Sequence, residues 1–208
     1  MSAERLVALL RDEVRDERVL AAIAAVPRER FVPEAERARA WENTALGIGR
    51  GQTISQPFVV ARMCEALAVQ PGARALDVGT GSGYHAAVLA ALGARVWSIE
   101  RHRALSARAR ANLDAAGVEG VELVVGDGRD GHPPAAPYDA ICVAATADGG
   151  IPGPLLDQLA PGGRLVAPVR DAEDERLVLV ERGADGRLVR TDLEPVRFVP
   201  LLDGIEDD

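Results

Sequence analysis

Between residues 4 and 26 apolar side chains recur at helical spacing, at Leu6, Leu9, Leu10, Val14, Val19, Ala22, Ile23 and Val26. This predicts two short amphipathic helices divided near Asp16. Pro27 and Pro33 frame a turn around Phe31, and residues 35–41 predict a further short helix. Gly47, Gly49 and Gly51 alternate through a stretch predicted as loop, after which residues 58–68 return to helical spacing with Val59, Met63 and Leu67 inward. From residue 73 the period changes. Short apolar runs at 74–78, 95–99, 121–125, 140–144 and 164–168 alternate with helical stretches at 84–92, 103–116 and 154–159, the order of a parallel sheet crossed by helices. Residues 175–181 and 186–200 have no helix between them and predict an antiparallel hairpin at the sheet edge. The expectation is an α/β, doubly wound, mostly parallel sheet of about seven strands, with a helical N-terminal extension. The acidic end of the chain is expected to fray.

Composition narrows the picture. A chain of 208 residues, 48% hydrophobic and 27% charged, has the size and balance of one soluble globular domain. We divide it into an extension at 1–70, an α/β core at 71–202 and an acidic tail at 203–208. The net charge of −8 opposes sequence-independent binding to a phosphate backbone, so no nucleic-acid partner is expected. All 24 basic side chains are Arg. The N-terminus lacks the apolar run of a secretory signal and no stretch approaches a membrane span. A cytoplasmic protein with reduced thiols is expected, since Cys64 and Cys142 are remote in sequence and neither has a His at zinc-ligand spacing. No metal is expected.

The chemistry begins at residues 75–83, Ala-Leu-Asp-Val-Gly-Thr-Gly-Ser-Gly. A Gly-rich turn between a strand and its helix lets backbone approach a ligand closely. Gly79, Gly81 and Gly83 fill that role, with Thr80 and Ser82 between them. A dinucleotide fingerprint would place Gly at 84, where this chain has Tyr84. Asp77 puts a carboxylate at the strand's end, where a pyrophosphate is repelled and a cation welcomed. S-adenosylmethionine, with its ammonium and sulfonium, is such a ligand, and S-adenosylhomocysteine is its product. Glu100, about twenty residues beyond the loop, stands where an acid bonds ribose hydroxyls, with Arg101 beside it. Asp127 and Gly128 close the third strand, where a carboxylate beside pliant backbone meets the adenine edge.

The acceptor is suggested by residues outside that core. Ile48-Gly49-Arg50-Gly51-Gln52-Thr53-Ile54-Ser55-Gln56-Pro57 followed by Val60-Ala61-Arg62-Met63 resembles the signature of the protein-L-isoaspartate O-methyltransferases. The likeness extends to Val26–Pro33, to the Asp77–Tyr84 loop, to Gly126-Asp127-Gly128 and to Val196–Leu201, so it covers nearly the whole chain. It implies a Rossmann-like class I methyltransferase that esterifies the free α-carboxylate of L-isoaspartyl residues in damaged proteins or peptides. The ester collapses to a succinimide, whose hydrolysis returns some normal aspartyl linkage. The resemblance also gives Ser55 the active-site role, with Thr53, Ile54, Gln56 and Arg197 on the substrate. We expect a monomer. The likeness breaks at Gly47, where the family has Pro, near Arg129 and His132, where it has Trp, and at Ala144-Ala145-Thr146-Ala147, where it reads Thr-Ala-Ala-Pro.

The reaction suits these residue types. An α-carboxylate with a pKa of about 3.5 is already ionised at neutral pH and needs no strong base. It needs alignment and loss of water. A cation clamped on the attacking oxygen would over-stabilise the ground state, whereas the hydroxyls of Ser55 and Thr53 are gentler donors. Competing readings stand beside these. Ser55 could cap the helix beginning near Phe58, with Pro57 in its first turn. Arg197 could be a solvated surface cation. Trp41 reads as an anchor, and His85, His102 and His132 are given no catalytic part. Other functions with the same core are a methyltransferase for a different carboxylate, such as an Asp side chain of a biosynthetic peptide, a non-catalytic S-adenosylmethionine sensor, and an NAD-dependent oxidoreductase. Tyr84 and Asp77 argue against the last.

Overall fold

A computed structural model describes residues 1–172 and 174–206. Helices α1 (Ala3–Leu10) and α2 (Glu17–Ala25) form as the periodicity predicts, started by Ser2 and by Asp16, whose side chains accept the Arg5 and Arg18 amides. Leu9, counted among the apolar positions, is exposed. The helix expected over 35–41 is a 3₁₀ segment, Glu34–Arg39, because the chain after Pro33 closes i→i+3 bonds, among them Glu36 N–H to Pro33 O at 2.9 Å.

The stretch expected as loop is a hairpin, β1 (Leu46–Gly49) with β2 (Gln52–Ile54). Arg50 and Gly51 make its turn, both at positive φ, the mirror-type geometry that matches strand twist. Leu46, Ile48 and Ile54 bury their side chains. This alternation of four residues is too short to separate from loop by pattern alone. Helix α3 (Pro57–Leu67) follows.

The core is a sheet ordered β10-β9-β8-β6-β3-β4-β5. Strands β3 (Arg74–Val78), β4 (Arg95–Glu100), β5 (Val121–Val125), β6 (Tyr138–Val143) and β8 (Leu159–Asp171) are mutually parallel. Strands β9 (Asp174–Arg182) and β10 (Leu188–Pro195) run antiparallel at the edge. A two-residue strand β7 (Ala147–Asp148) pairs with β8. Helices α4 (Tyr84–Ala91), α5 (Arg103–Ala115) and α6 (Gly153–Asp157) are the crossovers. Several boundaries differ from expectation, most of all at β8 and β10. Leu159 belongs to β8 and not to α6. Strand β10 stops at Pro195, and residues 196–202 turn back across the sheet's C-terminal ends.

Strand alternation sends successive side chains to opposite layers. Ala75, Val96, Ala140 and Cys142 pack with α1–α4, whereas Leu76, Val78, Trp97, Ile141 and Val143 pack on the α6 side. The chain leaves β3 toward β4 on one side and β6 on the other, and a crevice opens at such a switch, outside the carboxyl ends of the strands. No helix among the described residues is long and apolar enough to cross a membrane. Part of the tail is tied down where fraying was expected. The guanidinium of Arg101 donates to Asp203 O and Gly204 O and pairs with Glu206 at 2.7 Å. Residues 207–208 of that tail lie outside the described residues.

Candidate active site

A cavity of about 740 Å³ occupies the crevice, within the range that encloses a small-molecule ligand. Gly79, Thr80, Gly81 and Ser82 line one wall with Glu100, Arg101 and Gly128; Thr53, Ile54, Ser55 and Gln56 line the other, and Arg197 reaches it from the C-terminal segment. Two stretches far apart in sequence therefore share one space.

The Gly loop is held by its own amides. Gly79 and Thr80 donate to Ile99 O, Gly81 donates to Glu100 Oε2 at 2.8 Å, and Gly83 donates to Thr80 O. A phosphate cradle needs such amides free to point at the anion; here those of residues 79–81 are spent on β4 and that of Gly83 on Thr80, which goes against a dinucleotide ligand. Gly79, Gly81 and Gly83 all have positive φ, so a side chain there would strain the turn. At Gly128 the constraint is space, since a Cβ would lie 2.5 Å from Val78 Cγ1. Glu100 is buried, its other oxygen accepting the His102 amide at 3.0 Å. Each carboxylate oxygen keeps a second lone pair, enough to receive ligand hydroxyls.

Three expected ligand contacts, Asp77, Gly83 and Asp127, lie off the lining. Asp77 does not line the cavity. It shares the sheet face of Ala75, so its carboxyl turns beneath the loop and is fully buried. Ser98 Oγ donates to Asp77 Oδ2 at 2.6 Å, and Thr80 Oγ1 lies 2.6 Å from the same hydroxyl. Ser98 has one proton to give, so Thr80 donates to Ser98 and the loop hangs from Asp77 by two hydroxyls. Burial, with the charge of Glu100, raises the Asp77 carboxyl to about 7 against the pull of Ser98, and Oδ1 has no partner. Asp127 also stands outside the lining, accepting the Arg129 amide at 2.8 Å and the Gly204 amide at 2.6 Å. It ties the tail to the turn that follows β5. Arg101 lines the cavity, but its guanidinium faces the tail. Gly83 packs against Ala109 and Leu113 and serves the helix start.

On the facing wall the cap that competed for Ser55 is supplied by another residue. Gln56 is the N-cap of α3 and makes no side-chain cap bond. The Phe58 amide is instead accepted by Asn43 Oδ1 at 3.0 Å, so the Ser55 hydroxyl is not spent on the helix. Thr53 and Arg197 are exposed, Ile54 is buried and Gln56 is half-buried.

Sequence reasoning missed the roof of the cavity. Residues 196–202 cross it, held by Glu175, whose Oε1 accepts the Phe198 amide at 2.6 Å and the Thr146 hydroxyl at 2.7 Å. Burial would raise this carboxyl, but Thr146, Arg170 and Phe198 hold it below its ordinary value. The signal available was the family-like stretch from Val196 to Leu201. Sequence spacing also concealed that His85 meets both cysteines. Its Nε2 is 3.4 Å from Cys64 Sγ, while Cys142 Sγ is 3.4 Å and 3.5 Å from its two nitrogens. Asp77, His85 and Cys142 each offer a ligand atom within 4.8 Å of the others. A sulfur so evenly placed lies over the ring face, away from either in-plane lone pair, which is a geometry of packing more than of ligation. Burial lowers His85 to about 4 and raises both thiols, so the imidazole and the two cysteines pack in neutral form.

A family model, protein-L-isoaspartate(D-aspartate) O-methyltransferase, matches residues 1–206. The chain is 54% identical over 210 residues to the protein-L-isoaspartate O-methyltransferase of Methylibium petroleiphilum, covering 98% of this chain and 78% of that protein. To the enzyme of the same name from Aeromonas salmonicida it is 51% identical over 205 residues, 98% of each. A solved structure of a candidate protein-L-isoaspartate O-methyltransferase from Plasmodium falciparum, in complex with S-adenosyl-L-homocysteine, has a TM-score of 0.86 and 24% identity, covering 97% of this chain and 99% of that one. That likeness supports the α/β fold described above.

Proposed function

Since the chain belongs to the protein-L-isoaspartate(D-aspartate) O-methyltransferase family and thus methylates isoaspartyl residues of proteins with S-adenosylmethionine, we propose that its cavity divides into a donor wall and an acceptor wall. The donor wall is Gly79 to Ser82 with Glu100 and Gly128; the acceptor wall is Thr53 to Gln56 with Arg197. Residues 1–70 form the substrate side. The observation that carries this division is that Ser55, freed from helix capping by Asn43, opens on the same cavity as the Gly loop.

The fit to the donor rests on the loop and on Glu100. Closely approaching backbone at Gly79 and Gly81 leaves room for the methionine part. Glu100, fixed by the amides of Gly81 and His102, accepts the ribose hydroxyls on its remaining lone pairs. S-adenosylmethionine supplies the methyl group as an electrophile and leaves as S-adenosylhomocysteine. The Ser55 hydroxyl donates to one oxygen of the acceptor carboxylate and leaves the other to attack, so it orients and does not act as a nucleophile. Ile54, Phe198 and Leu201 on the lining exclude water, which sharpens the reactivity of a bare carboxylate. No base is required, because the acceptor is ionised at neutral pH.

The same reading has the enzyme act as a cytoplasmic monomer with no nucleic-acid partner, the last supported by its charge of −8. Methylation of paired isoaspartyl and aspartyl peptides, read by methanol release, tests the acceptor. Turnover of the isoaspartyl peptide is expected; preference for the aspartyl peptide would favour a side-chain carboxylate instead. Calorimetry on two variants tests the division of roles. Glu100→Gln should weaken S-adenosylmethionine about tenfold, the size of one or two charged hydrogen bonds. Ser55→Ala should lower turnover with cofactor affinity intact, and equal cofactor losses in both would overturn the division.

A further inference from the structure

Arg28, in the turn after α2, is fully buried. Its Nε donates to Ala40 O and its Nη2 to Ser55 O, each at 2.8 Å. The guanidinium carbon lies 4.7 Å over the Tyr84 ring, and Tyr84 lines the cavity directly after the Gly loop. One side chain therefore touches the backbone of the acceptor wall and the first residue of the helix behind the donor wall. Both hydrogen bonds go to neutral carbonyls, and buried Nη1 has no partner. Among the described residues no carboxylate forms an ion pair with this guanidinium, the neighbouring Glu29 acting on Tyr84 instead.

Removing a cation from water is costly unless an anion or a full set of acceptors repays it. A staple for two carbonyls could be built without a charge. Guanidinium stays protonated even when burial lowers its pKa, so a fixed positive charge lies behind Ser55, where the reaction brings an anionic carboxylate and leaves a neutral ester. We propose that Arg28 is a positioning residue of the acceptor wall: it holds Ser55 by its carbonyl and makes this part of the cavity prefer the anionic acceptor to the uncharged product. The inference rests on the reading of Ser55 as the acceptor side.

The test compares, by calorimetry with S-adenosylhomocysteine bound, an isoaspartyl peptide and its isoasparaginyl analogue, whose α-carboxamide has nearly the same shape and no charge. Wild-type protein should bind the acid about tenfold more tightly, the scale of one charged interaction. Arg28→Met should bring the two affinities to within about twofold while the amide affinity holds. Arg28→Lys should restore the preference yet leave turnover low, because an ammonium cannot span both carbonyls. Equal affinity of wild-type protein for the two peptides overturns the proposal, and needs no variant to fold. So does Arg28→Met weakening acid and amide alike, the mark of a purely structural staple. Undiminished turnover in Ser55→Ala would sink the underlying acceptor reading separately, whatever the affinities show.

Discussion

A fully buried carboxyl group sits near the end of β3. Asp77 bonds Ser98, has an unpaired oxygen, and faces His85, Cys64, Cys142 and the charge of Glu100. Its pKa is raised from 3.8 to about 7, so the folded protein binds this proton where the unfolded chain has released it. Stability from this group is full below its unfolded pKa and falls as pH rises through the folded one. His85, lowered from 6.5 to about 4, has the opposite slope: its contribution is full above its unfolded pKa and is lost as pH falls. Asp77→Asn should therefore gain stability relative to wild-type protein on going from about pH 6 to about pH 8, a difference from which the His85 contribution, common to both proteins, cancels. Thermal melts of both proteins across that interval check it, and a constant difference would refute the raised pKa. The Gly-loop spacing made Asp77 visible as a strand-end acid. Its direction was also readable, since Asp77 alternates in phase with Ala75, but the cofactor role drew attention to the wrong face.

Among elements, α3 governs the acceptor wall because Ser55 lies just before it. Its first amide is capped by Asn43, fifteen residues earlier. A cap of this kind is worth about 1 kcal/mol. Asn43→Ala should cost about that much in denaturant melts, and should lower turnover while leaving S-adenosylmethionine affinity unchanged. If only stability moves, Asn43 serves the helix and not the site. The local sequence favoured Ser55 as cap, and only the chain path through Glu34–Arg39 and the β1–β2 hairpin brings Asn43 to the helix start. That hairpin was obscured for a related reason: three alternating glycines read as loop, while the buried side chains that make it a hairpin, Leu46, Ile48 and Ile54, are few.

At the scale of the molecule, edge strand β10 exposes Leu188 and Val189, a surface that could template pairing with another chain. It also carries Arg190, paired with Asp171 and Asp192 at 2.8 Å and 2.9 Å, and charges on an edge discourage such pairing. With a net charge of −8 favouring repulsion between copies, light scattering should give a monomer mass near 22.0 kDa, unchanged between low and moderate salt. A dimer would redirect attention to β10.

The element order, the parallel sheet with its antiparallel edge, the Gly loop, Glu100 and the Ser55 segment were legible because each is written in neighbouring residues, as a period, a turn or a short motif. The pairings around the site were decided by the tertiary structure: Arg28 with Ser55 O and Tyr84, Asn43 with α3, Glu175 with the returning segment, and His85 between two cysteines. Local patterns restrict the backbone through sterics and burial, and these act over a few residues. Which buried polar groups satisfy one another depends on where the folded chain brings distant segments together.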